Sequence, residues 1–149
     1  MEQEKIKIIH LEFIQNIITR MNTNSFQIKE WMITIVSALL ALFASSDNEN
    51  VLYIFVAIAP TLIFWLLDSY YLQQERKYRG LYDDVRGLPI PVNQQVDITD
   101  FSMNTDKYKG GKYRFCCCFT SSSILPLYGS ICLLLLIGGC LIIKYGTPI

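Results

Sequence analysis

The sequence predicts an all-α membrane protein with three transmembrane helices. The first observation is composition, since 52% of the residues are hydrophobic and only 17% are charged, against about 25% charged in soluble domains. The second is that the charges are absent from three long windows of the chain. The third is a short polar turn between the first two windows, which predicts an antiparallel hairpin.

The predicted hairpin consists of a first span over residues 28–45 and a second over residues 51–71. Eighteen residues of helix reach roughly 27 Å, close to the ~30 Å hydrocarbon core of a bilayer. The connecting turn, residues 45–50, is Ser-Ser-Asp-Asn-Glu-Asn and breaks both helices. A soluble helical hairpin is the alternative, but a third apolar run would then need burial as well.

The third predicted span, residues 124–143, contains no charged residue and is the clearest of the three. Residues 3–21 predict an amphipathic helix, because apolar residues recur at helical spacing. That helix is expected either to lie on the membrane surface or to pack on a cytosolic helix over residues 72–86. Polar Asn22 to Ser25 are expected to end it.

The remaining segment, residues 87–123, is expected to be a cytosolic loop with short strands. Apolar and polar residues alternate over 90–98, which predicts one short strand, and residues 113–119 are the candidate for a second. A segment of this size is too small for a core of its own. The whole chain is therefore treated as a single membrane domain, residues 1–149.

Basic residues predict the orientation, because they accumulate on the cytosolic side of membrane proteins. The hairpin turn carries Asp47 and Glu49 and no Lys or Arg. Basic residues flank the opposite ends of the spans: Arg20, Lys29, Arg76, Lys77, Arg79, Arg86, Lys107, Lys109, Lys112 and Arg114. The N-terminus is thus expected in the cytosol and the C-terminus outside, with Trp31 and Trp65 at the cytosolic interface.

No catalytic, metal-binding or cofactor-binding residues are predicted, and we expect a non-enzymatic protein. His10, the single histidine, is expected to be solvated at the membrane interface. Cys116, Cys117 and Cys118 lack metal-ligand spacing, so packing is expected of them and lipidation is the alternative. With 13 basic and 13 acidic residues, no field attracts nucleic acid, and no nucleic-acid partner is expected.

Small residues predict where helices approach one another closely. Ser37, Ala41 and Ser45 recur every four residues in the first span and form a ridge that favours self-association. The other residues expected to shape helix packing are Pro60, Gly138 and Gly139. A basic and aromatic group is a possible ligand or lipid contact, with anchoring at the interface as the simpler alternative: Tyr71, Arg76, Tyr78, Arg79 and Tyr82.

Two segments carry a family resemblance, NSFQIKEW at 24–31 and FWLLDSYYLQQERKYRGLY at 64–82. Together with the amphipathic helix and the short hairpin, residues 5–86 resemble the SLATT-type two-transmembrane effectors of bacterial conflict systems. The resemblance implies an oligomeric inner-membrane effector of antiviral defence that perturbs or permeabilises the membrane when a soluble partner or signal triggers it. Membrane lipids, a homo-oligomer and a soluble sensor or effector protein are the expected partners. The alternative is a membrane anchor or scaffold that recruits a soluble partner through residues 1–25 and 68–123.

Overall fold

A computed structural model describes residues 2–45, 52–87 and 101–145. Its elements are α1 (Glu2–Ala44), α2 (Leu52–Arg86), a 3-10 turn (Gly111–Tyr113), α3 (Phe115–Phe119) and α4 (Leu125–Tyr145). The described residues contain no strand. The predicted all-α class is confirmed.

Helix α1 is longer than the sequence predicted, because it joins the amphipathic segment and the first apolar segment without a break. The predicted helix end at 22–25 is therefore wrong. Residues 2–44 contain neither glycine nor proline. The hydroxyls of Thr19 and Thr23 donate to the carbonyls of Gln15 (3.0 Å) and Thr19 (3.1 Å), so these polar side chains are satisfied inside the helix.

Helix α2 runs through Pro60 and continues to Arg86, as predicted for a second span that extends into residues 72–86. Gly87 ends it. This residue has φ +79°, a left-handed conformation that glycine adopts without steric cost, and its N–H donates to the Asp84 carbonyl at 3.0 Å.

The predicted strand over 113–119 is wrong, since this segment forms the end of the 3-10 turn and helix α3. The N–H groups of Cys117 and Cys118 both donate to the Arg114 carbonyl, at 3.1 and 3.2 Å. The Arg76 side chain also donates to the Lys112 carbonyl at 3.1 Å. These backbone N–H and carbonyl groups are therefore bonded within the helical turn or by Arg76, whereas in a strand they would need a neighbouring strand as their partner. The other predicted strand, over 90–98, lies outside the described residues.

The chain divides into two compact units. Unit 1 comprises Met1–Ser25 and Tyr70–Cys118, and unit 2 comprises Phe26–Ser69 and Phe119–Ile149. In unit 1, Ile14 and Ile18 of α1 are buried with Leu81 of α2 and with Tyr108. The amphipathic segment thus packs on the extension of α2, which was one of the two expected arrangements.

The apolar part of the chain is much less buried than a soluble core. Helices α1, α2 and α4 are each long and apolar enough to cross a membrane. Only 17% of the most apolar window is buried in α1 and in α4, and 33% in α2. Exposed apolar side chains over such lengths are stable in lipid and unstable in water, which indicates a membrane protein.

Candidate functional site

The most unusual feature of unit 2 is a buried pair of opposite charges. The ammonium of Lys29 in α1 lies 2.7 Å from the carboxylate of Asp68 in α2. The Asp68 side chain is fully buried, and the Lys29 side chain retains 25% of its surface. Ionisable residues inside membrane segments are rare and often functional, so this pair is the candidate site.

Aromatic residues surround the pair. Tyr128 of α4 is fully buried. Trp65 lies one turn before Asp68 on α2. Its indole N–H donates to the Phe119 carbonyl at 3.1 Å, and its ring stacks on Phe119 at a centroid distance of 4.3 Å. The Tyr128 ring lies nearly parallel to the indole, 6.0 Å away. Residues of α1, α2, α3 and α4 therefore meet at this charged junction, which we define as Lys29, Trp65, Asp68, Phe119 and Tyr128.

Sequence reasoning missed the junction, although a signal for it exists. Lys29 precedes the hairpin turn by almost the same number of residues as Asp68 follows it. In an antiparallel hairpin such residues reach the same depth. Opposite charges at equal depth on adjacent spans are candidates for pairing. The sequence contains no comparable signal for where α4 packs, so the place of Tyr128 at the junction could not be predicted in this way.

His10 in unit 1 is buried, with 3% of its surface exposed, so the expectation of a solvated histidine is wrong. Its Nε2 lies 3.1 Å from the Ser102 carbonyl oxygen, and its ring contacts Phe101 at a centroid distance of 5.7 Å. The segment after residue 100 covers this face of α1. A helical pattern in α1 alone does not show which distant segment packs there.

Tyr108 links the same segment to α2. Its hydroxyl donates to the Asp84 carboxylate at 2.5 Å. Burial raises the pKa of Tyr108 above its ordinary value, and the neighbouring Asp84 raises it further. Gly80 permits this close approach, because a Cβ there would lie 2.7 Å from the Tyr113 hydroxyl and 3.0 Å from the Tyr108 ring.

The five predicted ligand or lipid contacts do not form one exposed surface. Tyr78 and Tyr82 pack against the core of unit 1, and Tyr71 contacts Tyr70 at a centroid distance of 6.0 Å. Arg79 donates to Glu75, one turn earlier on α2, at 2.6 Å. Arg76 binds the α3 segment.

Arg76 contacts residues 112–118, which include the start of α3. Its guanidinium donates to the carbonyls of Lys112 at 3.1 Å and Cys117 at 3.4 Å, and it lies 3.6 Å from the Cys118 sulfur. Burial raises the pKa of the Cys118 thiol, and Arg76 opposes that shift. Cys118 is therefore a packing residue, while Cys116 and Cys117 are exposed.

The predicted packing residues fall into two groups. Gly139 is buried against α2, since a Cβ there would lie 3.1 Å from Phe55 and 3.5 Å from Ile54. A Cβ on Gly138 would meet nothing within 4 Å, and Pro60 is half-buried. The ridge of Ser37, Ala41 and Ser45 is exposed on α1, so the residues that the structure describes leave it uncovered.

The chemistry of the junction is electrostatic. Among the described residues, no group of three His, Cys, Asp or Glu side chains could hold a metal ion.

No protein-family model, curated protein sequence or solved structure matches the chain. The functional argument consequently starts from the exposed apolar helices and the junction.

Proposed function

We propose that this protein is a non-enzymatic, oligomeric effector of bacterial antiviral defence that permeabilises the inner membrane when a soluble partner or signal triggers it. The observation that carries the proposal is the exposed small-residue ridge on a helix that is otherwise suited to lipid. The resemblance of residues 5–86 to SLATT-type effectors provides the biological setting.

Lipid is the first partner. Large apolar side chains on all three long helices are exposed; Leu42 is 55%, Ile63 62% and Leu134 69% exposed. In water, each such side chain would lose about 1.5–3 kcal/mol relative to burial. A bilayer removes that penalty for all three helices together.

A second copy of the chain is the next partner. Apolar side chains give no net driving force for helix association in lipid, because lipid solvates them equally well. Small residues permit close backbone contact instead. Ser37, Ala41 and Ser45 supply such a surface on α1, where it is exposed. Since three helices from one chain are too few to enclose a channel, we propose that several copies assemble through this ridge.

The proposed orientation has the N-terminus in the cytosol and the C-terminus outside. It follows from the basic residues on one side of the spans and the acidic hairpin turn on the other. In this orientation the trigger reaches residues 2–25 and 72–123 from the cytosol.

A membrane anchor that recruits a soluble protein is the second candidate. The contacts of unit 1 favour it specifically. His10 with Ser102 and Tyr108 with Asp84 give these residues a defined packed arrangement suited to recognition by another protein.

Induced expression separates the two candidates. An effector should cause rapid loss of membrane potential, followed with a potential-sensitive dye. An anchor should leave the potential intact and co-purify with a soluble protein. The Ala41→Phe variant at equal expression is the matched control, because a bulky side chain on the ridge should prevent assembly and preserve the potential.

A further inference from the structure

Basic residues are concentrated in the segment of unit 1 that precedes α4. Residues 101–118 contain four basic side chains and a single acidic one, Asp106. The number of basic residues bears on orientation in the membrane, but their positions on unit 1 divide them into two pairs. All four are exposed: Lys107, Lys109, Lys112 and Arg114.

Two tyrosines hold this segment on α2. Tyr108 is buried in the core of unit 1, and Tyr113 packs against that core. Their rings meet edge to face at a centroid distance of 5.3 Å. Each tyrosine has a basic residue on both sides in sequence. The tyrosines therefore fix the backbone, and the basic side chains that flank them lie on the outside.

Lys112 and Arg114 lie close to the end of the second membrane span. Gln73 of α2 donates to the carbonyl of Tyr113, which stands between them, at 2.8 Å. Gln73 follows Tyr70 by three residues, roughly 4.5 Å along the helix axis. Tyr70 is half-exposed at the end of the apolar run of α2, where tyrosine marks the membrane–water interface. Since the headgroup layer is about 5–8 Å thick, both basic side chains reach it.

Arg76 adds a third positive charge to this pair. Its guanidinium donates to the Lys112 carbonyl at 3.1 Å, directly behind the exposed side chains. Lys112, Arg114 and Arg76 are defined here as the proximal basic surface. Guanidinium and ammonium groups form charge-assisted hydrogen bonds with phosphate oxygens, so this surface suits a phosphate group.

Lys107 and Lys109, the distal pair, are held further from the membrane. Tyr108 stands between them, and its ring lies against Gly80 of α2. Gly80 follows Tyr70 by ten residues, roughly 15 Å along the helix axis. This separation exceeds the Debye length of about 10 Å at 0.1 M ionic strength. The distal pair thus carries the same charge as Lys112 and Arg114 without their access to the headgroups.

We propose that the proximal basic surface binds the phosphate of anionic phospholipid headgroups in the leaflet next to unit 1, and that the distal pair does not. Each basic residue near the membrane surface contributes about fivefold to the affinity for anionic lipid. Lys112 and Arg114 together then contribute about thirtyfold. The proposal requires that the three long helices lie in a membrane, and it is independent of any membrane leak.

Native mass spectrometry of the full-length protein in neutral detergent measures this preference. The protein is mixed with equal amounts of phosphatidylglycerol and phosphatidylcholine that carry the same acyl chains, so that only the headgroups differ. The measured quantity is the ratio of the two lipids in the complex with one bound lipid. The unsubstituted protein is compared with Lys112→Gln/Arg114→Gln and with the matched control Lys107→Gln/Lys109→Gln. Both double variants lose two positive charges, and circular dichroism checks their helix content.

The unsubstituted protein should retain phosphatidylglycerol over phosphatidylcholine. The proximal double variant should lower this ratio about thirtyfold, whereas the distal double variant should leave it unchanged. If the proximal double variant loses helix content, Arg114→Gln alone takes its place, with an expected fall of about fivefold. Added inorganic phosphate should not change the ratio, because the free ion lacks the acyl chains that hold a headgroup beside α2.

An equal fall in both double variants would overturn the proposal, since the preference would then follow net charge alone. Equal retention of the two lipids by the unsubstituted protein would also overturn it and would point to an acidic soluble partner. A loss of preference on addition of inorganic phosphate would assign the surface to a free anion instead of a lipid.

Discussion

Gly139 offers a direct test of how α4 packs on α2, because its neighbour Gly138 is a matched control. A Cβ on Gly139 would lie 3.1 Å from the Phe55 ring and 3.5 Å from Ile54, whereas a Cβ on Gly138 meets nothing within 4 Å. We compare Gly139→Leu with Gly138→Leu. Both changes gain the same helix propensity, about 1 kcal/mol relative to glycine, so this contribution cancels in the difference.

The remaining difference in stability between the two variants measures the cost of crowding Phe55 and Ile54 at position 139. The first added carbon at position 139 already requires Phe55 to move, and the rest of the leucine side chain extends further into α2. Overpacking of this kind costs about 1–3 kcal/mol. We therefore expect Gly139→Leu to be less stable than Gly138→Leu by that amount, measured by thermal unfolding in detergent micelles with circular dichroism. Equal unfolding temperatures for the two variants would refute the packing of α2 against Gly139.

Two further predictions concern unit 1 and the ridge. Because burial raises the pKa of Tyr108, its contribution to stability is complete below the ordinary tyrosine pKa of about 10 and is lost as pH rises above it. Tyr108→Phe, which removes the bond to Asp84, should cost about 1–2 kcal/mol at neutral pH and weaken the alkaline loss of stability; an unchanged alkaline profile in thermal unfolding would contradict this. Ala41→Phe should disrupt oligomers while the lipid-facing control Leu42→Phe does not, as measured by size in detergent at matched expression. The same oligomer size for both would place the ridge against lipid.

The helices could be predicted from the sequence because their signal is local. Uncharged runs of sufficient length, such as residues 124–143, require no knowledge of distant contacts. The end of α2 at Gly87 also follows from a local property, since glycine accepts the left-handed conformation found there. The break expected at 22–25 failed because threonine and asparagine are ambiguous. Their side chains end helices when they cap them, yet they remain inside when they bond to a preceding carbonyl, as Thr23 does.

The contacts of the site depend on distant segments, and most of them could not be predicted. The burial of His10 depends on Phe101 and Ser102, which lie some ninety positions away. Arg76 donates to carbonyls in residues 112–118. These contacts favour the helical conformation of this segment over the extended conformation that its residue pattern predicted. The Lys29–Asp68 pair could be predicted in part, because the short hairpin turn determines which residues of the two spans lie at the same depth in the membrane.

The most direct test of the three-span, N-inside topology is labelling of single added cysteines in intact cells, in a background without the native cysteines. A membrane-impermeant maleimide should react with cysteines placed at Asn48 and Thr147. Cysteines near Arg79 and Lys109 should react only after permeabilisation. Labelling near Lys109 in intact cells would contradict this topology and the cytosolic trigger that follows from it.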